Sequence, residues 1–316
     1  MTVEVTRPGK ETLELTTPVM CAAGTFGCGE VYRDLIQTDK IGALVTTPVS
    51  YSRRYPASGA RVVPLDAGVL LHTGLPNPGL ANIIKKHRNL WLILPVPIIV
   101  HVVATTVDDV RQCARMLDAE NSVNAIELGI GHGTPREDAE ALIKAAVMEM
   151  DKPVLVRIPM QGAFTLAEVA ADVGAGALVV CAPPRGVAHD SRSGKLVGGR
   201  IYGPTVKPIV LNLVGQLARR IQDVPIIGAG GIHSKQDARD YIEAGARAVQ
   251  VDSATWIKPQ ILETIARDLG EGIVTRQAGA LPDEWHEGMG DTEADMLPQE
   301  SQNDDDDFVL DDPQKA

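Results

Sequence analysis

Short apolar runs rich in Val and Ile, four to seven residues long, recur eight times along this 316-residue chain, and the stretches between them carry helix-start chemistry. The runs occupy residues 19–22, 43–46, 97–103, 125–128, 154–158, 177–181, 225–228 and 248–251. They are mostly apolar on both faces, the pattern of strands buried inside a parallel sheet. Between them, Thr106 precedes Val107 and Asp109, Thr134 precedes Pro135 and Glu137, Thr165 precedes Glu168, and Ser234 precedes Asp237. Each set places a hydroxyl where a helix start needs its free N–H groups satisfied, and an acid shortly after it. Glu137, Ala141, Ile143, Ala145 and Val147 continue one of them as an amphipathic helix. Eight strands alternating with helices over about 250 residues predict a single α/β domain, a closed (β/α)8 TIM barrel. The competing open, doubly wound sheet would carry GxGxxG after its first strand, whereas this chain has Gly24, Gly27 and Gly29 there in another spacing.

Two excursions interrupt the rhythm. Residues 51–78, rich in Pro and Gly, follow the second strand, and residues 183–204, with Gly186, Gly194, Gly198 and Gly199, follow the sixth. In a barrel both leave the C-terminal rim, where ligands bind, so both are candidate lids. Charge separates the chain into two parts. The net charge is −11, but residues 282–316 hold nine Asp, four Glu and one Lys, which leaves residues 1–281 at +1. The expected organisation is therefore a barrel over residues 1–281 and a disordered acidic tail over 282–316, too poor in apolar residues to fold alone. Docking to a basic protein partner is a second reading of that tail. A nearly neutral body excludes a strongly basic nucleic-acid surface.

No segment reaches 18 continuous apolar residues, and the first residues, Met1-Thr-Val-Glu-Val-Thr-Arg, carry no apolar signal core. The reading is a cytoplasmic protein without a membrane anchor. Cys21, Cys28, Cys113 and Cys181 show neither CxxC spacing nor the density of a disulfide framework, so reduced thiols are expected. His101, at the end of the third strand, is expected in the barrel mouth. With His132 and Asp252 it would offer metal ligands, but no spacing motif supports such a site and none is expected.

Several segments together resemble the soluble dihydroorotate dehydrogenase family, barrels that bind FMN. They are Pro18-Val-Met-Cys-Ala-Ala-Gly-Thr-Phe-Gly27, Gly74-Leu-Pro-Asn-Pro-Gly79, Ala125-Ile-Glu-Leu128, Gly198-Gly-Arg-Ile-Tyr-Gly-Pro-Thr-Val-Lys-Pro208, Val224-Pro-Ile-Ile-Gly-Ala-Gly-Gly-Ile232 and Ala244-Gly-Ala-Arg-Ala-Val-Gln-Val251. They stand in family order over about residues 13–269. The resemblance implies an FMN-dependent oxidoreductase of the CH–CH type. The phosphate would lie at Gly228, Gly230 and Gly231 after the seventh strand and at Ser253 and Ala254 after the eighth. Backbone at Ala22, Ala23 and Gly24 would hold the flavin ring, with Thr47, Arg157 and Gly203 completing the cofactor set. Family members typically form homodimers, and some join an iron–sulfur flavoprotein partner, so a homo-oligomer acting on a small molecule is the expectation.

This sequence departs from the family pattern at the chemistry. Thr47 stands where a flavin lysine is expected, and a hydroxyl supplies no positive charge. Arg157 replaces a second lysine. It would stabilise reduced flavin with a planar fork, or serve only as an ion-pair partner of Glu127. Asp252-Ser-Ala254 replaces a Gly-Thr-Ala stretch and sets a carboxylate beside the phosphate position. His132 falls where the family has its cysteine base, and an imidazole is a competent general base. A mobile loop histidine is the alternative. The asparagines that grip orotate are replaced by Leu71, Gly129, Thr134 and Ala182. Loss of buried hydrogen-bond partners costs orders of magnitude in discrimination. The expected activity is therefore a divergent hydride transfer on a small cyclic or carbonyl-containing substrate, with His132 as proton acceptor and Arg157 beside the flavin. The alternatives are a non-catalytic paralogue serving as scaffold or complex subunit, and a barrel that binds a phosphorylated metabolite without flavin.

Overall fold

In this computed structural model residues 2–277 are described, their side chains as far as residue 270. The acidic stretch 282–316, and with it the expected boundary at 281, lies outside the described residues. Eight parallel strands close into a barrel: β1 (Val19–Cys21), β2 (Ala43–Val45), β3 (Ile98–Val103), β4 (Ala125–Gly129), β5 (Val154–Pro159), β6 (Ala177–Ala182), β7 (Ile226–Ala229) and β8 (Ala248–Val251), with β8 pairing back to β1. Each coincides with one of the apolar runs. Residues of these strands are buried almost without exception, because one face meets the helices and the other fills the barrel.

The helices are α1 (Leu80–Trp91), α2 (Val107–Asp118), α3 (Arg136–Val147), α4 (Ala163–Val173), α5 (Lys207–Arg220), α6 (Lys235–Glu243), α7 (Ala254–Ile257) and α8 (Ile261–Gln277). Thr106 and Ser234 cap α2 and α6 as their spacing predicts, each hydroxyl accepting from the N–H of Asp109 or Asp237 at 3.1 Å. The other two expected caps are corrected. Thr134 turns its hydroxyl to the Gly131 carbonyl at 3.0 Å, leaving Pro135 at the start of α3, and α4 begins two residues before Thr165. In the short loop the Thr134 hydroxyl donates to a carbonyl, where a cap would have accepted from a helix-start N–H. In α3, Ala139, Leu142, Ile143, Ala145 and Ala146 are buried, while Ala141 is exposed. The first strand is followed by turns and a single 3-10 turn rather than a helix, so that the segment from Gly24 to Ile36 packs as loop.

Inside the barrel, small and large side chains interleave: Ala43, Ala125, Ala177 and Ala248 lie among Met20, Val45, Ile99, Leu155, Val179 and Ile227. A two-stranded hairpin, Val3–Glu4 with Glu14–Leu15, adds Val5, Leu13 and Leu15 to this cluster. It closes the N-terminal end of the barrel.

The two excursions are not separate in the fold. The first contains the hairpin Val62–Leu65 and Gly68–Leu71, the second the hairpin Arg185–Asp190 and Lys195–Tyr202. They join edge to edge, Arg200 opposite Leu71, into one four-stranded antiparallel sheet at the C-terminal rim. The join brings backbone against backbone. A Cβ at Gly203 would run into the Ala67 carbonyl, and one at Gly68 into that of Tyr202.

Candidate active site at the C-terminal mouth

Above the apolar layers, four strands turn a polar side chain into the barrel. These are His101 from β3, Glu127 from β4, Arg157 from β5 and Gln250 from β8, all buried, with Glu127 fully so. Arg157 Nη1 donates to Glu127 Oε1 at 3.0 Å and to Gln250 Oε1 at 2.8 Å, and Nη2 donates to the Cys181 carbonyl at 3.3 Å. Gln250 Nε2 donates to the other Glu127 oxygen at 2.5 Å, and His101 Nδ1 lies 2.7 Å from Oε1. Burial alone would push the Glu127 carboxyl up. The Arg157 charge, together with His101 and Gln250, outweighs it and brings the carboxyl down to about 2. Burial likewise works against the Arg157 charge, and Glu127 more than restores it. The ion pair anticipated between these two residues is thus present, and it holds a charged guanidinium within the mouth.

Just past the end of β8, Asp252 is 4 % exposed. Its carboxylate accepts from its neighbour Ser253, from the N–H at 2.5 Å and the hydroxyl at 3.0 Å. Burial raises this carboxyl above the usual range, opposed by the Ser253 hydrogen bonds and by the charges of Arg157 and His233. His233 Nε2 lies 3.1 Å from the Ser253 hydroxyl. Tyr202, at the end of the rim sheet, rests on Trp256 with ring centres 5.1 Å apart. Its phenol is pushed up to about 12, by burial first and by Asp252 second. Arg200 reaches in from the same strand and donates to the Pro183 carbonyl at 2.8 Å. Burial pushes the Cys181 thiol up to about 12, which leaves it a protonated filler rather than a nucleophile.

After β7 the chain turns through Gly230 (φ +139°) and Gly231 (φ +67°), conformations that only glycine adopts without strain. Among the described residues, the N–H groups of Gly230, Gly231 and Ile232 donate to no backbone carbonyl. Consecutive free N–H groups in a buried turn form a concave seat for an anion. Gly228 has a different reason to be glycine, since a Cβ there would enter the ring of Tyr241. At the opposite side, Ala22 is held to Val251 by an N–H···O bond of 2.9 Å, Ala23 is half-buried and Gly24 is exposed at φ +86°. Half-buried Thr47 donates its N–H to the Gly27 carbonyl at 2.6 Å. Ser253 is buried, and Ala254 opens α7.

His132 is placed apart from this network, exposed in the β4–α3 loop. Among the described residues His101, His132 and Asp252 do not come within joint reach of one ion. Sequence reasoning missed Gln250, Arg200 and Tyr202. Gln250 was legible as the one polar residue on the inward register of β8. The other two depend on how the rim hairpins fold back over the mouth. For FMN, the donors present suit both ends of the molecule: free N–H groups for the phosphate and a fixed cation for the ring. Asp252, buried beside the turn, is a group of the wrong sign for a phosphate.

A sequence model of the family described as Dihydroorotate dehydrogenase matches residues 10–273. The chain is 34% identical over 273 residues to the dihydroorotate dehydrogenase B (NAD(+)) catalytic subunit of Pelobacter propionicus, covering 81% of this chain and 90% of that protein. It is 32% identical to the protein of the same description from Geobacter metallireducens, covering 83% and 91%, and 29% identical to that of Shouchella clausii, covering 90% and 99%. With a closed parallel barrel, a polar layer at its C-terminal mouth and a family match over most of its length, the chain belongs to the dihydroorotate dehydrogenase family.

Proposed function

We propose that this protein is an FMN-dependent oxidoreductase of the dihydroorotate dehydrogenase type, divergent in its substrate. The observation that carries the proposal is the buried turn of Gly230, Gly231 and Ile232, whose three N–H groups have no backbone partner among the described residues. These groups, with the Ser253 hydroxyl, Ala254 and His233, hold the phosphate. The ring end rests on the backbone of Ala22, Ala23 and Gly24, with Thr47 and Gly203 bordering it. When bound, FMN supplies the two-electron acceptor for hydride. Arg157, kept charged by Glu127 and Gln250, places positive charge where negative charge develops on reduction. His132, on its glycine-flanked loop, accepts the substrate proton. The rim sheet excludes water above the site. Leu71, Gly129, Thr134 and Ala182 offer no side-chain amides to grip orotate, so the substrate is a small cyclic or carbonyl-containing molecule other than dihydroorotate.

The test is titration of flavin-free protein with FMN and with riboflavin, followed by flavin fluorescence. FMN is expected to bind one per chain, and riboflavin to bind about a hundredfold more weakly for want of its charge-assisted hydrogen bonds. Equal binding of the two would remove the phosphate seat. No binding of either would remove the flavoenzyme.

A second reading, a barrel kept as scaffold or complex subunit, is favoured by one observation: the Asp252 carboxylate already takes the Ser253 N–H that a phosphate would use. The relatives named above are catalytic subunits, and we extend to this chain a homo-oligomeric, cytoplasmic state and a protein partner, with residues 282–316 as the docking segment. Chromatography of the chain with and without those residues checks the last point. Unchanged masses and partners would sink it. A barrel that seats a phosphorylated metabolite in place of FMN is separated by a thermal-shift comparison of FMN with simple sugar phosphates.

A further inference from the structure

Away from the mouth, the helix-free loop after β1 lies against α1. Cys28 and Glu30 on the loop and His87 on the helix bring one thiol, one carboxylate and one imidazole nitrogen within 4.8 Å of one another. We propose that these three residues bind a zinc ion, with water in the fourth position.

The geometry carries this in three ways. First, the donors are pre-set. Glu30 Oε2 accepts from the Cys28 N–H at 2.6 Å, which fixes the carboxylate beside the sulfur. The Trp91 indole N–H donates to the Cys28 carbonyl at 2.8 Å and ties the loop to α1, and the same Trp91 stacks on His87 with ring centres 6.2 Å apart. Second, His87 is only 5 % exposed, yet the Glu30 oxygen facing its Nδ1 stands 3.9 Å away, beyond hydrogen-bond reach. Its ring nitrogen faces the thiol and the carboxylate within 4.8 Å, close enough for one ion to draw all three together. Third, the gap has the dimensions of a tetrahedral site, in which zinc bonds of 2.0–2.3 Å leave ligand atoms about 3.4–3.6 Å apart, so the three side chains need close by only about an ångström. Glu30 is 46% exposed at its side chain, which leaves room for that closure and for the water.

The donor set selects the metal. A thiolate with an imidazole and one carboxylate suits zinc and disfavours magnesium or calcium, which take oxygen shells. Thiolate and carboxylate together neutralise a divalent ion in a place otherwise lined by apolar side chains, with exposed Lys86 at the solvent side. The ion would do for the β1 loop what a helix does after the other strands, pinning it to its neighbour. Cysteine spacing gives no hint of it, because the loop ligands and His87 lie 57 and 59 residues apart in sequence and meet only when α1 packs.

The experiment uses the full-length chain, stripped of metal and flavin and then titrated with Zn2+ in competition with a chromophoric chelator, and in parallel with Co2+. Expected are one zinc per chain and, with Co2+, tetrahedral visible bands together with a thiolate-to-metal charge-transfer band. Cys28→Ser should abolish the charge-transfer band, Cys113→Ser should leave it, and Glu30→Gln should weaken Zn2+ binding by about tenfold or more, since even losing an outer-shell partner costs that much. Glu30 is half-exposed, so Glu30→Gln remains decisive should Cys28→Ser fail to fold. Failure of the wild-type chain to bind Zn2+, or binding that Glu30→Gln leaves unchanged, overturns the proposal. Neither outcome bears on flavin binding.

Discussion

The carboxyl of Asp252 lies buried beside the turn that would seat a phosphate, folded back onto the N–H of Ser253. Two like charges about 4 Å apart at an effective dielectric near 20 repel by roughly 4 kcal/mol. Asp252→Asn removes the charge while keeping an oxygen that accepts from Ser253. FMN should then bind at least about tenfold more tightly by fluorescence titration, a fraction of that repulsion. Burial raises the Asp252 carboxyl, so lowering the pH neutralises it earlier than an ordinary aspartate. The difference between wild type and variant should therefore shrink toward acid. A difference that stays constant with pH would mean that Asp252 does not face the bound phosphate. At this scale the sequence was informative about sign and uninformative about direction. The substitution of Asp252 is visible in the chain itself, but its turn back onto Ser253 depends on a local backbone geometry that no spacing reveals. The Glu127–Arg157 pair, by contrast, follows from two adjacent strands with one inward charge each.

The β7 strand, its turn and α6 act together through Tyr241. Its fully buried ring sits under Gly228, and its hydroxyl donates to the Gly230 carbonyl at 2.7 Å. Gly228→Ala should therefore destabilise the chain by about 1–3 kcal/mol through overpacking, and Tyr241→Phe by about 1 kcal/mol through the lost hydrogen bond. Urea denaturation checks both. A neutral Gly228→Ala would show that Tyr241 gives way freely. The sequence alone made Gly228 look like a phosphate residue, because tight packing and ligand approach call for the same amino acid. The element boundaries were legible for another reason: strands apolar on both faces announce themselves without help from their neighbours. The rim hairpins did not. Their pairing joins residues 69–71 to 200–202, and the pattern of either excursion alone contains nothing about the other.

For the whole molecule, the polar layer ties four strands together across the barrel interior. Glu127 titrates at about 2 in the fold against an ordinary 4.5, so its ionised form contributes stability that is complete above about pH 4.5 and lost as the pH falls toward 2. Thermal melts from pH 5 to 2 should show this loss in the wild type, and Glu127→Gln should lack that part of it. At neutral pH the variant should be destabilised by about 3–5 kcal/mol, because Arg157 is left as an unpaired buried charge. Parallel acid curves would mean that the layer is not coupled to folding. At the opposite end of the barrel, the hairpin of residues 3–15 closes the floor, where the Arg7 N–H is held by the Gly176 carbonyl and Arg247 grips the Glu4 carbonyl. Those anchors are translated some 170 to 240 residues after the segment they hold. The stopper is thus made before the bottle. Until the last strands are made, Val5, Leu13 and Leu15 lack part of the apolar cluster that finally buries them.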